Sequence, residues 1–193
     1  EFKASLSRWM LFLDPPEHTR IRALTNKVFS SLAVERVRPR ITQVVDRLLS
    51  AVEASGRMDV VHDLASPLPR EVIVEMLATE PLEGASLKQW ADDIAAFVGA
   101  GIPTPGRGEA AIRSWQEMTS WLRGVTARHR VEPQRDLISI LLSPDAMGET
   151  LPEETILATC VMMLTGDHEA THDAISLCAH SLLRDEEAMR QLR

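Results

Sequence analysis

The sequence has no tyrosine, and its aromatic content is only 4%, four Phe and four Trp. It has two cysteines, too few for a disulfide framework. Cys160 and Cys178 fall on one predicted helix, where about 1.5 Å of rise per residue puts them about 27 Å apart, so they cannot pair within it. They read as reduced thiols of a cytoplasmic protein, serving as small core residues. No apolar run approaches the length of a membrane span, and no secretory leader is visible. No segment alternates apolar and polar residues with period two, which removes the usual signal for a sheet, and no internal repeat is present. Basic residues are the minority, 21 Lys and Arg against 28 Asp and Glu, and the net charge of -7 argues against a general nucleic-acid binder. The chain does not begin with Met and stops in what reads as mid-helix, so both ends look cut.

Helical periodicity fills these gaps, and the expected class is all-α. Apolar content of 45% and charged content of 25% over 193 residues suit one sizeable core in a single domain. After an apolar lead-in to Leu13, Asp14-Pro15-Pro16 starts a helix loaded with cations: His18, Arg20, Arg22 and Lys27. Ser30-Ser31 reads as the end of that element. Val37, Ile41, Val44, Val45, Leu48 and Leu49 then recur at helical spacing between Val34 and Val52, and Gly56 closes the run. The stretch 59–77 reads as helical on both sides of Pro67 and Pro69, with a bend at the prolines. A helix over 83–98 precedes the clearest loop, 99–108, rich in Gly and Pro. A long helix over 109–130, a short apolar one over 136–142 and a polar loop over 143–150 lead to the last long element.

That element, 151–183, is the centre of the chain. Pro152-Glu153-Glu154 makes an acidic first turn suited to the positive end of a helix dipole. Positions 156–164 have almost no polar face, the mark of a buried helix. Thr165-Gly166-Asp167-His168-Glu169-Ala170-Thr171-His172-Asp173 then brings polar groups to its middle, at a free-energy cost unless something uses them. Three readings are open. His168-Glu169-Ala170-Thr171-His172 is HExxH, in which two His one turn apart could bind zinc beside a water-activating Glu. A third ligand has no clear source, although Glu186 and Glu187 follow. A second reading is a long core helix whose polar middle faces a water-filled seam or a partner.

The third reading comes from a resemblance that covers nearly the whole chain. Phe12-Leu-Asp-Pro-Pro-Glu-His-Thr-Arg-Ile-Arg22 resembles the start of the C helix of bacterial cytochromes P450, commonly DPPxHTRxR. Asp59-Val-Val-His-Asp-Leu-Ala-Ser-Pro-Leu-Pro69 is similar to the family's E-helix start. Asp136-Leu-Ile-Ser-Ile-Leu-Leu142 is similar to the segment before the I helix. Ala158-Thr-Cys-Val-Met-Met-Leu-Thr-Gly-Asp-His-Glu-Ala-Thr171 aligns without a gap to the I helix, commonly ATCxxLLxAGHETT. Several motifs in the right order make the resemblance specific. It implies the helical middle of the P450 fold, from C helix to J helix, with a long central I-type helix.

The resemblance implies a haem-thiolate monooxygenase that uses O2, with electrons passed from NAD(P)H by a ferredoxin-type redox partner, to hydroxylate or epoxidise a small organic substrate. His18 and Arg22, one helical turn apart, would hold the propionates of haem b. Gly166, Asp167 and Ala170 would lie against the distal face of the cofactor. Glu169 falls at the proton-delivering acid position, and Glu169 and Thr171 are the catalytic candidates. Phe97, Leu164 and Thr165 are candidate substrate-pocket residues. The basic set Arg20, Arg36, Arg38 and Arg40 would help dock an acidic ferredoxin or form a solvated face. Neither nucleic acid nor membrane is an expected partner.

Two departures fall at the chemistry. Ala170 stands where the family usually has an alcohol, and Asp167 stands where it usually has Gly. The family's ExxR helix and the FGxGxHxCxG-type loop that supplies the thiolate do not occur in these 193 residues, so no metal ligand is assigned. The chain by itself is expected to bind haem poorly. A haem-free P450-like protein, acting as a helical partner of another enzyme, is the alternative that these departures favour.

Overall fold

A computed structural model describes residues 1–76, 84–99 and 104–192. Every regular element among them is helical, in agreement with the all-α expectation. In chain order they are α1 (Phe2–Leu6), a 3-10 turn (Met10–Phe12), α2 (Glu17–Thr25), α3 (Ser31–Glu53), a π-helical turn (Val60–Ala65), α4 (Pro67–Met76), α5 (Gly84–Gly99), α6 (Pro105–Val131), α7 (Leu137–Leu142), α8 (Glu153–Arg184) and α9 (Glu186–Gln191).

Several boundaries differ from the sequence reading, each for a capping reason. Ser30 does not close α2; its hydroxyl accepts from the amide of Ala33 at 3.4 Å and so caps the start of α3. Pro67 and Pro69 do not bend a helix. They sit in the first turn of α4, where a missing amide hydrogen costs nothing because that turn has no acceptor for it. The predicted loop 99–108 ends earlier, since Pro105 opens α6 with Thr104 at its N-cap; residues 100–103 of that loop lie outside the described residues. Pro39 lies inside α3 on an exposed face, so the carbonyl one turn back can be served by water instead of by an amide.

The core gathers around the first half of α8. Ile156, Leu157, Ala158, Cys160, Val161 and Leu164 are buried there. They share one apolar cluster with Met118, Leu122 and Val125 of α6, Leu137, Ile138 and Leu141 of α7, Ile94 of α5 and Ile73 of α4. Each fully buried side chain of this size contributes about 1.5–3 kcal/mol relative to exposure. The burial follows from the apolar circumference of residues 156–164; Thr159, the polar exception, returns its hydroxyl to the carbonyl of Thr155 at 2.8 Å. From Ala170 onward the same helix is largely exposed, with Leu177 and Leu183 open to solvent.

Candidate functional site

Helix α2 begins behind Asp14-Pro15-Pro16, with Pro16 at its N-cap. Ile21 and Leu24 bury one side of it in the core. His18 and Arg22, four residues apart, share another side. Both line an open concavity of about 530 Å3 together with Met10, Leu11, Leu13, Asp14 and Pro15 from the preceding segment and Met162 from α8. Among the described residues, neither the His18 nor the Arg22 side chain makes a hydrogen bond or an ion pair. An imidazole and a guanidinium without protein partners therefore face a space that Asp14 and the central helix also border.

Arg20, between them in sequence, turns away. Its Nε donates to Asp145 Oδ2 at 2.7 Å and its Nη2 lies 3.4 Å from Glu149 Oε2. Asp145 is itself the centre of a tight loop between α7 and α8. Its Oδ1 accepts from the amides of Met147 at 2.9 Å and Glu149 at 3.0 Å, and its own amide donates to the Glu149 carbonyl at 2.9 Å. Gly148 closes the loop at φ 81, where a side chain would be strained. The Glu149 amide is the largest influence holding the Asp145 carboxyl below its ordinary range; partial burial opposes it, and the Met147 amide and the Arg20 guanidinium add to it. A depressed carboxylate stabilises the folded state above its ordinary pKa, and that support is lost as pH falls through the depressed value.

On α8, Leu164 and Thr165 are buried, and the Thr165 hydroxyl has no partner among the described residues. A Cβ at Gly166 would meet nothing within 4 Å, so packing in this chain does not require glycine there. Residues 167–169 continue the helix, but the side chains of Asp167, His168 and Glu169 lie outside the described residues. By helical register, position 169 is about 20° around the axis from Met162, on the same face, whereas Thr171 is about 180° away. Thr171 accordingly lines a different concavity of about 330 Å3, apolar and bordered by Phe29 and Ile41, by Leu68, Val72 and Ile73, and by Ile175. Ala170 is exposed. The structure thus brings His18, Arg22 and the face of α8 around Met162 together, and puts Thr171 on the opposite face.

Phe97 lies elsewhere again. Its ring packs 5.4 Å from Phe2, which packs 5.7 Å from Trp115, and the Trp115 indole donates to Ser5 Oγ at 3.0 Å. It belongs to the junction of α1, α5 and α6. The basic set is also partly engaged: Arg38 forks onto Glu35 with two contacts of 2.8 Å, and Arg40 Nη1 lies 3.5 Å from Gln43 Oε1.

Sequence reading missed a buried polar knot at the junction of α6 and α7. Asp136 caps α7 by accepting from the Ser139 amide at 2.9 Å, and its other oxygen accepts from the Ser139 hydroxyl at 2.9 Å. His129 Nδ1 lies 3.2 Å from that hydroxyl and 3.3 Å from Asp136 Oδ1. The Ser proton goes to Asp, and the Gln134 amide donates to the same hydroxyl at 2.8 Å. The trio is therefore a closed structural knot and not a nucleophile with its base. An Asp immediately before an apolar run was the available signal.

Both cysteines are free. Cys178 is exposed, contrary to the expectation of a core residue, because it lies on the open second half of α8. Cys160 is fully buried, and burial, aided by the charge of Asp136, pushes its thiol up to about 12. Maleimide at pH 8 is expected to leave Cys160 unmodified in the folded protein and to label it after denaturation, with peptide mapping as the readout; labelling at native conditions would show that α8 opens. Among the described residues, no three His, Cys, Asp or Glu side chains converge to hold a metal ion, and no helix is long and apolar enough to cross a membrane.

No family model matches the chain. Individual proteins do. It is 35% identical over 184 residues to cytochrome P450 CYP107DY1 of Priestia megaterium, a match covering 95% of this chain and 44% of that protein. It is 33% identical over 192 residues to cytochrome P450 107B1 of Saccharopolyspora erythraea, covering 100% of this chain and 45% of that one. Among solved structures it superimposes on P450BioI, determined in complex with a hexadec-9Z-enoic acid-ligated acyl carrier protein, with a TM-score of 0.89 at 28% identity over 99% of this chain and 49% of the other. The chain thus spans about half the length of the curated relatives it matches. Ordered motifs, an all-helical fold and matched relatives lead to one assignment: this chain belongs to the bacterial cytochrome P450 family.

Proposed function

We propose that the chain is the helical middle of a haem-thiolate monooxygenase. The complete enzyme would be a cytoplasmic protein taking electrons from NAD(P)H through a ferredoxin-type partner and hydroxylating or epoxidising a small organic substrate. The observation that carries this reading is the concavity shared by His18, Arg22 and Met162. An imidazole and a guanidinium without protein partners, on a wall of Met10, Leu11, Leu13, Pro15 and Met162 that also carries Asp14, fit a flat apolar cofactor with an anionic edge, which describes haem b and its propionates. Haem, when bound, supplies the iron at which O2 is reduced and activated.

The chain's own residues divide the remaining work. His18 and Arg22 hold the anionic edge, and Met10, Leu13 and Met162 keep water from the ring. Leu164 and the unpaired Thr165 hydroxyl border the substrate side. Glu169 delivers protons from a position on the Met162 face of α8, as a general acid must in a dry site. Asp167 stands where the family usually has Gly, and Ala170 offers no hydroxyl to the relay. Thr171 is on the far face, so a substrate hydroxyl or a water takes the alcohol's place. Cys160 is buried in the core on α8, and neither cysteine has the family's thiolate loop around it; on this reading the chain alone lacks the haem ligand and is inactive.

The test is the reduced-plus-CO absorption spectrum of the protein from the complete reading frame, with metal analysis. A thiolate-type Soret band supports the monooxygenase. Protein without haem or metal supports a P450-like auxiliary protein and overturns it. Stoichiometric zinc, lost on His168→Ala, overturns both.

A further inference from the structure

We propose that Arg20 is a positioning residue: through Asp145 it locks the cation-bearing face of α2 at the angle to α8 that the shared concavity requires. The inference rests on the haem-edge reading above. Its ground is the division of labour along α2. His18 and Arg22 face the concavity and have no protein partner among the described residues, so nothing in their own contacts determines where they point. The intervening Arg20 is committed in the opposite direction, to Asp145 at 2.7 Å and Glu149 at 3.4 Å.

The anchor is rigid. Both Asp145 oxygens are used, one by two loop amides and one by Arg20, and the loop is closed by its own backbone bonds. The loop runs directly into buried Leu151 and the start of α8. One guanidinium therefore ties the helix that carries the cations to the helix that carries Met162. The Asp145 side chain is 11% exposed and the Arg20 side chain 34%, sheltered enough for geometry to be held instead of averaged by solvent. Groups that orient a ligand-binding side chain, without touching the ligand, change affinity by about ten- to a hundredfold when removed.

The experiment uses the complete P450 and times the transfer of its haem to an excess of an acceptor protein. Arg20→Gln and Asp145→Asn are each expected to speed haem loss about tenfold, and the pair no more than either single change, because they break one link. Arg20→Lys should recover part of the loss. In a His18→Ala, Arg22→Ala background, Arg20→Gln should add little, since the side chains it positions are gone; a purely structural role would add its full effect there. Hydrogen exchange of the α2 amides in the haem-free protein should rise in Arg20→Gln and Asp145→Asn. If Arg22→Ala speeds haem loss while Arg20→Gln, Asp145→Asn and Arg20→Lys leave both haem loss and α2 exchange unchanged, the positioning role is overturned. If Arg22→Ala itself has no effect on haem loss, it is the haem-edge reading that fails. Should Arg20→Gln not fold, Arg20→Lys and Asp145→Asn carry the same comparison.

Discussion

Removing both cavity side chains, with His18→Ala and Arg22→Ala in the complete enzyme, is expected to speed haem loss about a hundredfold. A hydrogen bond to a charged group contributes about 1.5–3 kcal/mol, and about 1.4 kcal/mol is a factor of ten. Two such bonds at the low end, as suits partly exposed side chains, give that figure. Single substitutions should each give about tenfold by the same arithmetic. The variants discriminate because neither side chain has a partner within the described protein. Their removal should therefore leave the unfolding free energy of the haem-free protein within about 0.5 kcal/mol of the parent. A variant that unfolds more easily but retains haem would assign the two side chains to the fold and not to the cofactor. Arg22→Lys should recover only part of the loss, because a single ammonium cannot reproduce a guanidinium fork on a carboxylate.

The largest effect on stability is expected at Asp136. Asp136→Ala removes the cap of α7 and the acceptor of the Ser139 hydroxyl, and takes away the carboxylate 3.3 Å from His129, itself 6% exposed. Loss of a cap costs about 1 kcal/mol, and each buried polar group left without a partner about 1–3 kcal/mol more. A total of about 3 kcal/mol is a large fraction of a domain's 5–15 kcal/mol. Asp136→Asn keeps an oxygen for the Ser139 amide and should cost less, about 1–2 kcal/mol. Urea unfolding of the parent and both variants provides the measurement. A cost below about 1 kcal/mol for Asp136→Ala would mean that water enters the knot and satisfies it.

What the amino-acid order determined by itself is the local and one-dimensional part of this protein. The apolar circumference of 156–164 specified a buried helix, and the spacing of His18 and Arg22 specified one shared face, because 3.6-residue periodicity needs no partner to be read. The ordered motifs specified the P450 family, and the chain's relatives agree. Boundaries were legible only where capping chemistry was simple. Ser30 and Pro67 were misread because a residue that ends one helix and a residue that begins the next look alike until the amide acceptors are known.

Only tertiary structure decided which neighbour each polar group found. Arg20 reads as one more surface cation; distance in sequence hides Asp145, on a loop between α7 and α8, as its partner. Asp136 and Ser139 read as parts of a short apolar helix and His129 as part of the one before it, and packing of α6 on α7 closed them into a knot. Thr171 reads as the nearest alcohol to Ala170, yet one further residue of helical rotation places it on the face of α8 opposite Met162, bordering another cavity. The physical reason is common to all three cases: periodicity orders residues along an element, while the direction of an ion pair or the cavity a side chain enters depends on how separate elements pack together.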